Sequence, residues 1–370
     1  RLKSEIFSNS DSARNIWKLV DQLNSKDCNP VIHLREEGVE VTDEEQVAET
    51  FNLFFKSKIE SLRNKIDTSE ACDPMGPLKN KKRLNKKFCL KTVSTSDVFK
   101  KIKSLKNKAS CGADTITAQI LKDASPVLTS PITAIVNASI RSGTFPDPWK
   151  EAQVVPILKK GSAMEKKNYR PVSLLSVVSK ILEMVVQEQL ALYFEENDLL
   201  PREQHGFRRK RNTTSALLSM FDRISMLRSQ KLEVVMASYD LSAAFDCIDS
   251  SILDKKLEFY GLDDSSRNWI RSFLTDRRQF VRIGSARSSC VQLTVGSPQG
   301  SIISPLLFLI YLADINEWIS NGLTFSFADD TAAITFGETK SIAIQRLEST
   351  SAELLRYFAS NRLVANASKT

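Results

Sequence analysis

Three aspartates in the second half of the chain lie beside apolar segments that read as strands. Asp240 directly follows the apolar run 234–239, and Asp329 and Asp330 separate two further apolar segments. Because carboxylates among apolar neighbours need a counter-charge, a cluster of them favours a divalent cation. Mg²⁺ suits such oxygen ligands and is commonly held by one or two carboxylates together with substrate phosphates. Taken alone, a doubled aspartate between strands is more commonly an ordinary hairpin turn, which requires no metal.

Short motifs rich in charged, aromatic and glycine residues surround these aspartates. In chain order they are VPILKKG at 155–161, NYRPVSLL at 168–175, QHGFR at 204–208, YDLSAAFD at 239–246, GSPQGS at 296–301, FADD at 327–330 and NASKT at 366–370. Together they resemble the reverse transcriptases of non-LTR (LINE-like) retrotransposons. The resemblance covers residues 90–370, whereas residues 1–90 resemble only the variable connector that precedes the polymerase in such elements.

The resemblance implies nucleotidyl transfer with release of pyrophosphate, carried out by a small set of palm residues. Asp240 and Asp329, with the backbone carbonyl of Leu241, would hold two Mg²⁺ ions, for which Mn²⁺ could substitute. One ion would activate the primer 3′-hydroxyl and the other would neutralise the triphosphate. Asp330 would support the hairpin and the local charge rather than act as a full ligand. Lys369 is a candidate general acid for the leaving pyrophosphate.

The resemblance also assigns cations to the nucleotide. Lys159, Lys160 and Arg170 match positions at which the fingers meet the triphosphate, and a guanidinium can grip phosphate with two hydrogen bonds. Arg208 would contact the nucleotide or the template. Without the motifs, exposed cations on a basic protein would be read as a solvated surface.

Aromatic and glycine residues complete the implied nucleotide site. Phe245 lies where the family places the aromatic residue under the incoming sugar, and a bulky ring there excludes a 2′-hydroxyl by sterics. A core aromatic is the alternative reading of Phe245. Gln299 and Gly300 would lie beneath the templating base pair, since glycine permits a close backbone approach. The tyrosine usual in the family before Ala-Asp-Asp is Phe327 here, which keeps the aromatic wall without the hydroxyl.

Hydrophobic periodicity and capping residues predict the elements that position these motifs. The predicted helices are 42–66, with a capping box from Thr42 to Glu45, then one capped at Thr95 or Ser96, and 116–140, 173–193, 251–260, 264–274, 305–319 and 339–358. The predicted strands are 154–158, a buried strand at 234–239, 279–283 and a hairpin at 323–336. Helices come first and strands alternate with helices afterwards, so we predict the α+β class.

The resemblance specifies a right-hand polymerase fold divided into three parts. Residues 1–90 would be a helical, basic N-terminal extension, residues 91–230 the fingers with N-terminal helices, and residues 231–370 an incomplete palm. The chain begins with Arg rather than Met and would end before the thumb, so we expect a fragment. With a single histidine and no compact set of metal-binding acids, residues 1–90 predict no endonuclease.

Composition agrees with a nucleic-acid partner and excludes several other classes. The 370 residues carry a net charge of +8 and 42% hydrophobic side chains, which excludes a disordered tail or a fibrous repeat. Basic residues cluster at 79–91 and 208–211 and would track phosphates, although 79–91 also fits a solvated linker. Six cysteines without a C-x-x-C pair, beside two histidines, predict no structural zinc. The longest apolar run, 306–313, is too short to span a membrane, so we expect an intracellular protein of the nucleus or cytoplasm.

These observations predict an RNA-directed DNA polymerase of a non-LTR retrotransposon. Its partners would be an RNA template, a DNA primer or target DNA, and dNTPs, with no membrane. One alternative is a catalytically silent RNA-binding protein derived from such an element. A more distant alternative is a metal-dependent hydrolase that uses the same carboxylates, although it would not explain the cations of the fingers or the GSPQGS motif.

Overall fold

The computed structural model describes residues 32–36, 38–66, 71–81, 86–107, 110–366 and 369. The helices are α1 (Glu44–Asn64), α2 (Thr95–Ser104), α3 (Ala118–Asp123), α4 (Ser125–Ser142), α5 (Val177–Glu196), α6 (Thr213–Ser229), α7 (Ser250–Phe259), α8 (Asp264–Leu274), α9 (Ser304–Tyr311) and α10 (Lys340–Ser360). The strands are β1 (Leu34–Glu36), β2 (Val39–Val41), β3 (Glu151–Leu158), β4 (Tyr169–Leu174), β5 (Glu233–Tyr239), β6 (Arg277–Ile283), β7 (Ala286–Arg287), β8 (Val291–Leu293), β9 (Leu323–Phe327) and β10 (Asp330–Gly337). This mixture of helices and largely antiparallel sheets confirms the predicted α+β class.

A three-stranded antiparallel sheet in the order β5-β10-β9 carries the predicted catalytic aspartates. Thr331 pairs with Tyr239 and Asp330 pairs with Phe327, so the β9–β10 turn lies beside the end of β5. The hairpin predicted at 323–336 is therefore confirmed. The prediction that 234–239 is buried is wrong, because β5 is an edge strand that packs on the core with one face. Met236 lies on the opposite, outer face of β5 and is 50% exposed.

A second sheet has the order β4-β3-β6-β7, with β8 also paired to β6. β3 runs antiparallel to β4 and parallel to β6. Helix α1 lies on this sheet, where Phe51 and Phe55 pack with Val154, Tyr169 and Val281 in a separate small core. Residues from each of the three predicted parts therefore pack around this one sheet. The boundaries after residues 90 and 230 stay predictions.

Several predicted helix limits differ from the structure for local reasons. Asp43, not Thr42, caps α1 by accepting a hydrogen bond from the Gln46 N–H. Ser94 caps α2 in a capping box with Asp97, one residue before the predicted cap. The helix expected from residue 173 starts later, because residues 169–174 form strand β4. The helix expected over 305–319 breaks after Tyr311 and resumes only as a 3₁₀ turn at Ile315–Trp318.

Several elements were not predicted, among them the β1–β2 hairpin and helix α6. The strands of the β1–β2 hairpin have three residues each, which is too short for a periodic pattern to show. Helix α6 has apolar residues that face outwards, among them Leu217, Leu218 and Phe221. Because its apolar residues do not form one buried stripe, its sequence lacks the spacing by which amphipathic helices are recognised.

The main core lies where α2, α4, α5 and α7 to α10 meet, with Trp269, Tyr311 and Phe194 among its largest buried side chains. It contains one fully buried ion pair, in which Lys256 Nζ lies 2.6 Å from Asp314 Oδ1. The Tyr357 hydroxyl donates to the same oxygen, so α10, which covers the β5-β10-β9 sheet, is tied to α7. Among the residues that the structure describes, no helix is both long and apolar enough to cross a membrane.

Candidate active site

An open cleft of about 680 Å³ lies between the two sheets and gathers most of the residues that the sequence singled out. All of the predicted site residues except Asp330 and Arg208 line it: Lys159, Lys160, Arg170, Asp240, Leu241, Phe245, Gln299, Gly300, Asp329 and Lys369. These residues come from the β3–β4 hairpin, the segments that follow β5 and β9, the loop before α9 and the segment after α10. Only the tertiary fold brings them together.

Asp240 sits at the end of β5 and is held by residues near the end of the described chain. Its Oδ2 accepts hydrogen bonds from Lys369 Nζ and Asn366 Nδ2, each at 2.8 Å. The Asn366 N–H also donates to the Asp240 carbonyl, and the Ser242 N–H to the Val364 carbonyl. Burial by itself would raise the pKa of Asp240, but the bonds from Lys369 and Asn366 outweigh it and leave that pKa below the usual value. The carboxylate is therefore charged, with one oxygen engaged by an ammonium group.

Asp329 occupies the β9–β10 turn directly after Ala328, whose backbone is left-handed at φ +61°. Burial raises the pKa of Asp329, and the neighbouring charges of Asp330 and Asp240 raise it further. The two cleft carboxylates therefore repel each other. Asp330 begins β10 opposite Phe327 and is exposed, which agrees with a supporting rather than a ligating role.

The donor set in the cleft fits a hard divalent cation. Asp240, Asp329 and the Leu241 carbonyl are oxygen donors, and a cation between them would relieve the repulsion that raises the pKa of Asp329. The described part of the chain contains no group of three or more His, Cys, Asp or Glu side chains able to hold a metal. Two carboxylates and one carbonyl are a donor set that suits Mg²⁺, because this ion takes few protein carboxylates and completes its shell with water and substrate phosphates.

Phe245 both lines the cleft and packs on the core, so the two readings of this residue are not exclusive. Its ring lies 5.0 Å from Phe308 and 6.0 Å, edge to face, from Phe207. The Ser297 N–H donates to the Phe245 carbonyl at 2.9 Å, which fixes the backbone beneath the ring. Phe207 is 55% exposed and also lines the cleft. It was missed as a site residue, although it belongs to the QHGFR motif.

The loop that carries Gln299 and Gly300 is fixed against both sheets. The Gln299 carbonyl accepts the Ser173 N–H of β4 at 2.9 Å. Gly300 has φ +126°, and a Cβ there would lie 2.5 Å from the Ser173 oxygen, so no other residue fits. Gln299 Nε2 donates to Asp246 Oδ2 at 2.7 Å. Sequence reasoning missed Asp246, whose only signal is its place in the YDLSAAFD motif.

The basic residues predicted to bind the triphosphate lie together on one side of the cleft, which we call its cationic wall. In the β3–β4 pair, Ile157 lies opposite Arg170, and the Lys159 N–H donates to the Asn168 carbonyl at 2.8 Å. The side chains of Lys159, Lys160 and Arg170 are exposed at this end of the hairpin. Two further lysines that were not predicted, Lys58 and Lys167, line the same cleft.

Arg208 does not line this cleft, and its assignment to nucleotide or template stays a prediction. Its side chain is 5% exposed and its Nε lies 2.8 Å from Glu195 Oε1. Its Nη1 donates to the carbonyls of Pro201 and Gln204, and its Nη2 donates to Glu195. Because every guanidinium nitrogen already has a partner within the protein, Arg208 stabilises the loop after α5.

Several basic residues in the two clusters predicted to bind phosphates already have partners within the protein. In the cluster at 79–91, Lys79 pairs with Asp73 and Lys81 with Glu317, while residues 82–85 lie outside the described residues. In the cluster at 208–211, Arg211 donates to loop carbonyls, as Arg208 does. In the NASKT motif, residues 367, 368 and 370 lie outside the described residues.

Comparison with known proteins agrees with the motifs. The family model for reverse transcriptase (RNA-dependent DNA polymerase) matches residues 157–370. The chain is 32% identical over 234 residues to the probable RNA-directed DNA polymerase from transposon BS of Drosophila melanogaster, covering 61% of this chain and 25% of that protein. It is 27% identical over 262 residues to the RNA-directed DNA polymerase from mobile element jockey of the same species, covering 68% and 28%.

Two further proteins are similar to parts of this chain. The chain is 23% identical over 354 residues to a Pol polyprotein from the type-1 retrotransposable element R1 of Bradysia coprophila, covering 92% of this chain and 33% of that protein. Among solved structures, apo telomerase from Candida tropicalis truncated from its C-terminal domain has a TM-score of 0.41 and 15% identity, covering 60% of this chain and 51% of that one. The chain spans about a quarter to a third of the length of these curated relatives. It belongs to the reverse transcriptase family, in the group of non-LTR retrotransposon polymerases that its motifs predicted.

Proposed function

We propose that this chain carries the polymerase centre of an RNA-directed DNA polymerase that adds dNTPs to a primer 3′-hydroxyl on an RNA template. The observation that supports it best is the meeting of Asp240 and Asp329 in a cleft walled by Lys159, Lys160 and Arg170. A carboxylate pair facing a cationic wall suits a substrate with both a metal-binding and a polyanionic part, as a nucleoside triphosphate has.

Each lining residue then has a distinct task. Two Mg²⁺ ions, or Mn²⁺ as substitutes, would stabilise charge on the attacking and leaving oxygens, and Asp240, Asp329 and the Leu241 carbonyl would hold them. The three cations of the β3–β4 wall would bind the triphosphate. Phe245 would close the space for a 2′-hydroxyl.

Lys369 would act as a general acid in this proposal. Its ammonium engages Asp240 Oδ2, and that contact raises the pKa of Lys369. A bound triphosphate would compete with Asp240 for the ammonium and draw it towards the leaving pyrophosphate. There Lys369 would serve as the general acid, because a protonated amine can supply the proton that pyrophosphate takes up.

The partners in this proposal are an RNA template, a DNA primer or target DNA, and dNTPs, within the nucleus or cytoplasm. The net charge of +8 supports polyanionic partners, because protein cations release counterions from nucleic-acid phosphates on binding. In this proposal residues 1–90 form an N-terminal extension, residues 91–230 the fingers and residues 231–370 the palm.

The test is dNTP incorporation on an RNA template with an annealed DNA primer in Mg²⁺. We expect Asp329→Asn to lower the rate at least about a hundredfold, equivalent to about 2.7 kcal/mol of lost transition-state stabilisation. Asp222→Asn, which removes an equal charge from an exposed position on α6, is the matched control and should keep the rate. Equal rates for Asp329→Asn and the unaltered chain would refute the assignment. RNA binding without incorporation by the unaltered chain would favour the silent RNA-binding alternative.

A further inference from the structure

The QHGFR motif lies against the outer edge of the β9–β10 hairpin, whose turn carries Asp329. Gln204 contacts Ala328 there, 124 residues away in sequence. The His205 N–H donates to the Ser326 carbonyl at 2.9 Å, and the Ser326 N–H donates to the Glu203 carbonyl at 3.0 Å. Gln204 thereby pairs in parallel with Ser326, on the side of β9 away from β10. The segment 203–205 acts as a short additional strand beside the turn that carries Asp329.

The side chain of Gln204 binds that turn directly. Its Oε1 accepts the Ala328 N–H at 3.0 Å, and its Nε2 donates to the Ala328 carbonyl at 3.2 Å. The same Oε1 also accepts the Gly206 N–H at 2.8 Å. Gln204 is 3% exposed, so water cannot readily replace these bonds. One amide therefore satisfies both backbone polar groups of the residue that precedes Asp329.

The backbone at Ala328 needs such support. Its left-handed conformation, at φ +61°, is unfavourable for a residue with a Cβ. Gly206 packs so closely that a Cβ there would lie 2.1 Å from the Ala328 nitrogen. Turns in sparsely populated conformations persist when their surroundings over-determine them, and here the surroundings are Gln204 and Gly206.

We propose that Gln204 is a positioning residue for Asp329, because its amide fixes the left-handed turn at Ala328 and thereby the direction of the Asp329 carboxylate. This inference rests on the proposed polymerase centre and assigns one job to the QHGFR motif within it. Gln204 thus acts from outside the cleft on a side chain within it that the proposed function assigns to the metal.

Gln189 on α5 offers a matched control for Gln204. Its Oε1 accepts the Lys91 N–H at 2.8 Å and its Nε2 donates to the Lys91 carbonyl at 2.9 Å. Gln189→Met therefore removes the same two-sided amide contact as Gln204→Met, but at a site outside the cleft. Gln204→Glu keeps the acceptor for the Ala328 N–H but places a second oxygen, charged when ionised, against the Ala328 carbonyl.

The experiment measures single-nucleotide incorporation and, separately, Mn²⁺ binding by electron paramagnetic resonance in the presence of primer–template and a non-hydrolysable dNTP. Residues that orient a metal ligand typically change metal affinity or activity by about 10–100-fold. We expect Gln204→Met to lower kcat and weaken Mn²⁺ binding by about tenfold or more, with primer–template affinity and the KM for dNTP within about twofold. Gln204→Glu should lower kcat and weaken Mn²⁺ binding as well, and Gln189→Met should change none of these values.

The two readouts separate this inference from the proposed function. If the unaltered chain incorporates no nucleotide, the polymerase proposal fails, whereas Mn²⁺ binding that both Asp329→Asn and Gln204→Met weaken still supports the positioning role. Unchanged Mn²⁺ binding in Gln204→Met overturns it, as does an equal loss in Gln189→Met. Absence of Asp329-dependent Mn²⁺ binding in the unaltered chain overturns it as well.

Discussion

Asp246 is the most informative residue to perturb, because it is a partly buried acid that lines the candidate site. It accepts a hydrogen bond from Gln299, yet burial outweighs that bond and raises its pKa from 3.8 to about 6. An unfolded chain therefore loses this proton near pH 3.8, while the folded protein holds it until about pH 6. Between those values the folded state binds more protons than the unfolded state, so stability falls as pH rises.

The size of this effect follows from the two pKa values. A difference of about 2 pKa units, at about 1.36 kcal/mol each, is equivalent to about 3 kcal/mol. This stabilisation is fully present below pH 3.8 and lost above about pH 6. Asp246→Asn is neutral at every pH and keeps an oxygen that can accept the Gln299 amide. We therefore expect the variant to be more stable than the unaltered chain at pH 7 by up to about 3 kcal/mol.

The assay is urea unfolding of both proteins at a series of pH values from 4 to 8, with the difference in unfolding free energy as the readout. Taking the difference cancels the titration of other carboxylates, such as Asp249 and Asp240, whose pKa values are lowered. Asp222→Asn controls for the loss of one negative charge at an exposed site. The difference should grow from about pH 4 to pH 6 and then stay level. A difference independent of pH, or one matched by Asp222→Asn, would refute the reasoning.

Two further predictions concern the cleft and the loop beside it. If Phe245 excludes a 2′-hydroxyl as proposed, Phe245→Ala should relax discrimination against ribonucleotides by about tenfold or more in single-nucleotide insertion. An unchanged rNTP:dNTP ratio would contradict this, and Phe221→Ala on α6 is the control. Glu195→Gln should lower the free energy of unfolding by about 2 kcal/mol, because it leaves the buried Arg208 guanidinium without its charged partner. Arg208→Met should lower it by a similar amount, about 2 kcal/mol, because it removes the donors to the carbonyls of Pro201 and Gln204. Neither should change the KM for dNTP, and a raised KM in Arg208→Met alone would restore that residue to the nucleotide site.

Much of the candidate site was predictable because its chemistry is concentrated in short motifs. The order of YDLSAAFD, GSPQGS and FADD indicated the family and named Asp240, Asp329, Phe245 and Gln299, all of which line one cleft. Capping residues and apolar periodicity located most helices to within a few residues, since those signals are local. The β1–β2 hairpin and α6 escaped because one is too short, and the other too exposed, to show a period.

Contacts between distant segments were decided by the tertiary structure alone. From the sequence, Arg208 reads as one more cation in a basic run, and only the tertiary structure shows its ion pair with Glu195. Likewise, nothing near Gln204 in sequence indicates that its amide binds Ala328, or that Asp246 lies under Gln299. A motif determines which groups are present and how they are spaced along the chain. Burial, pairing and pKa depend on what the fold places around each group, and those neighbours come from elsewhere in the chain.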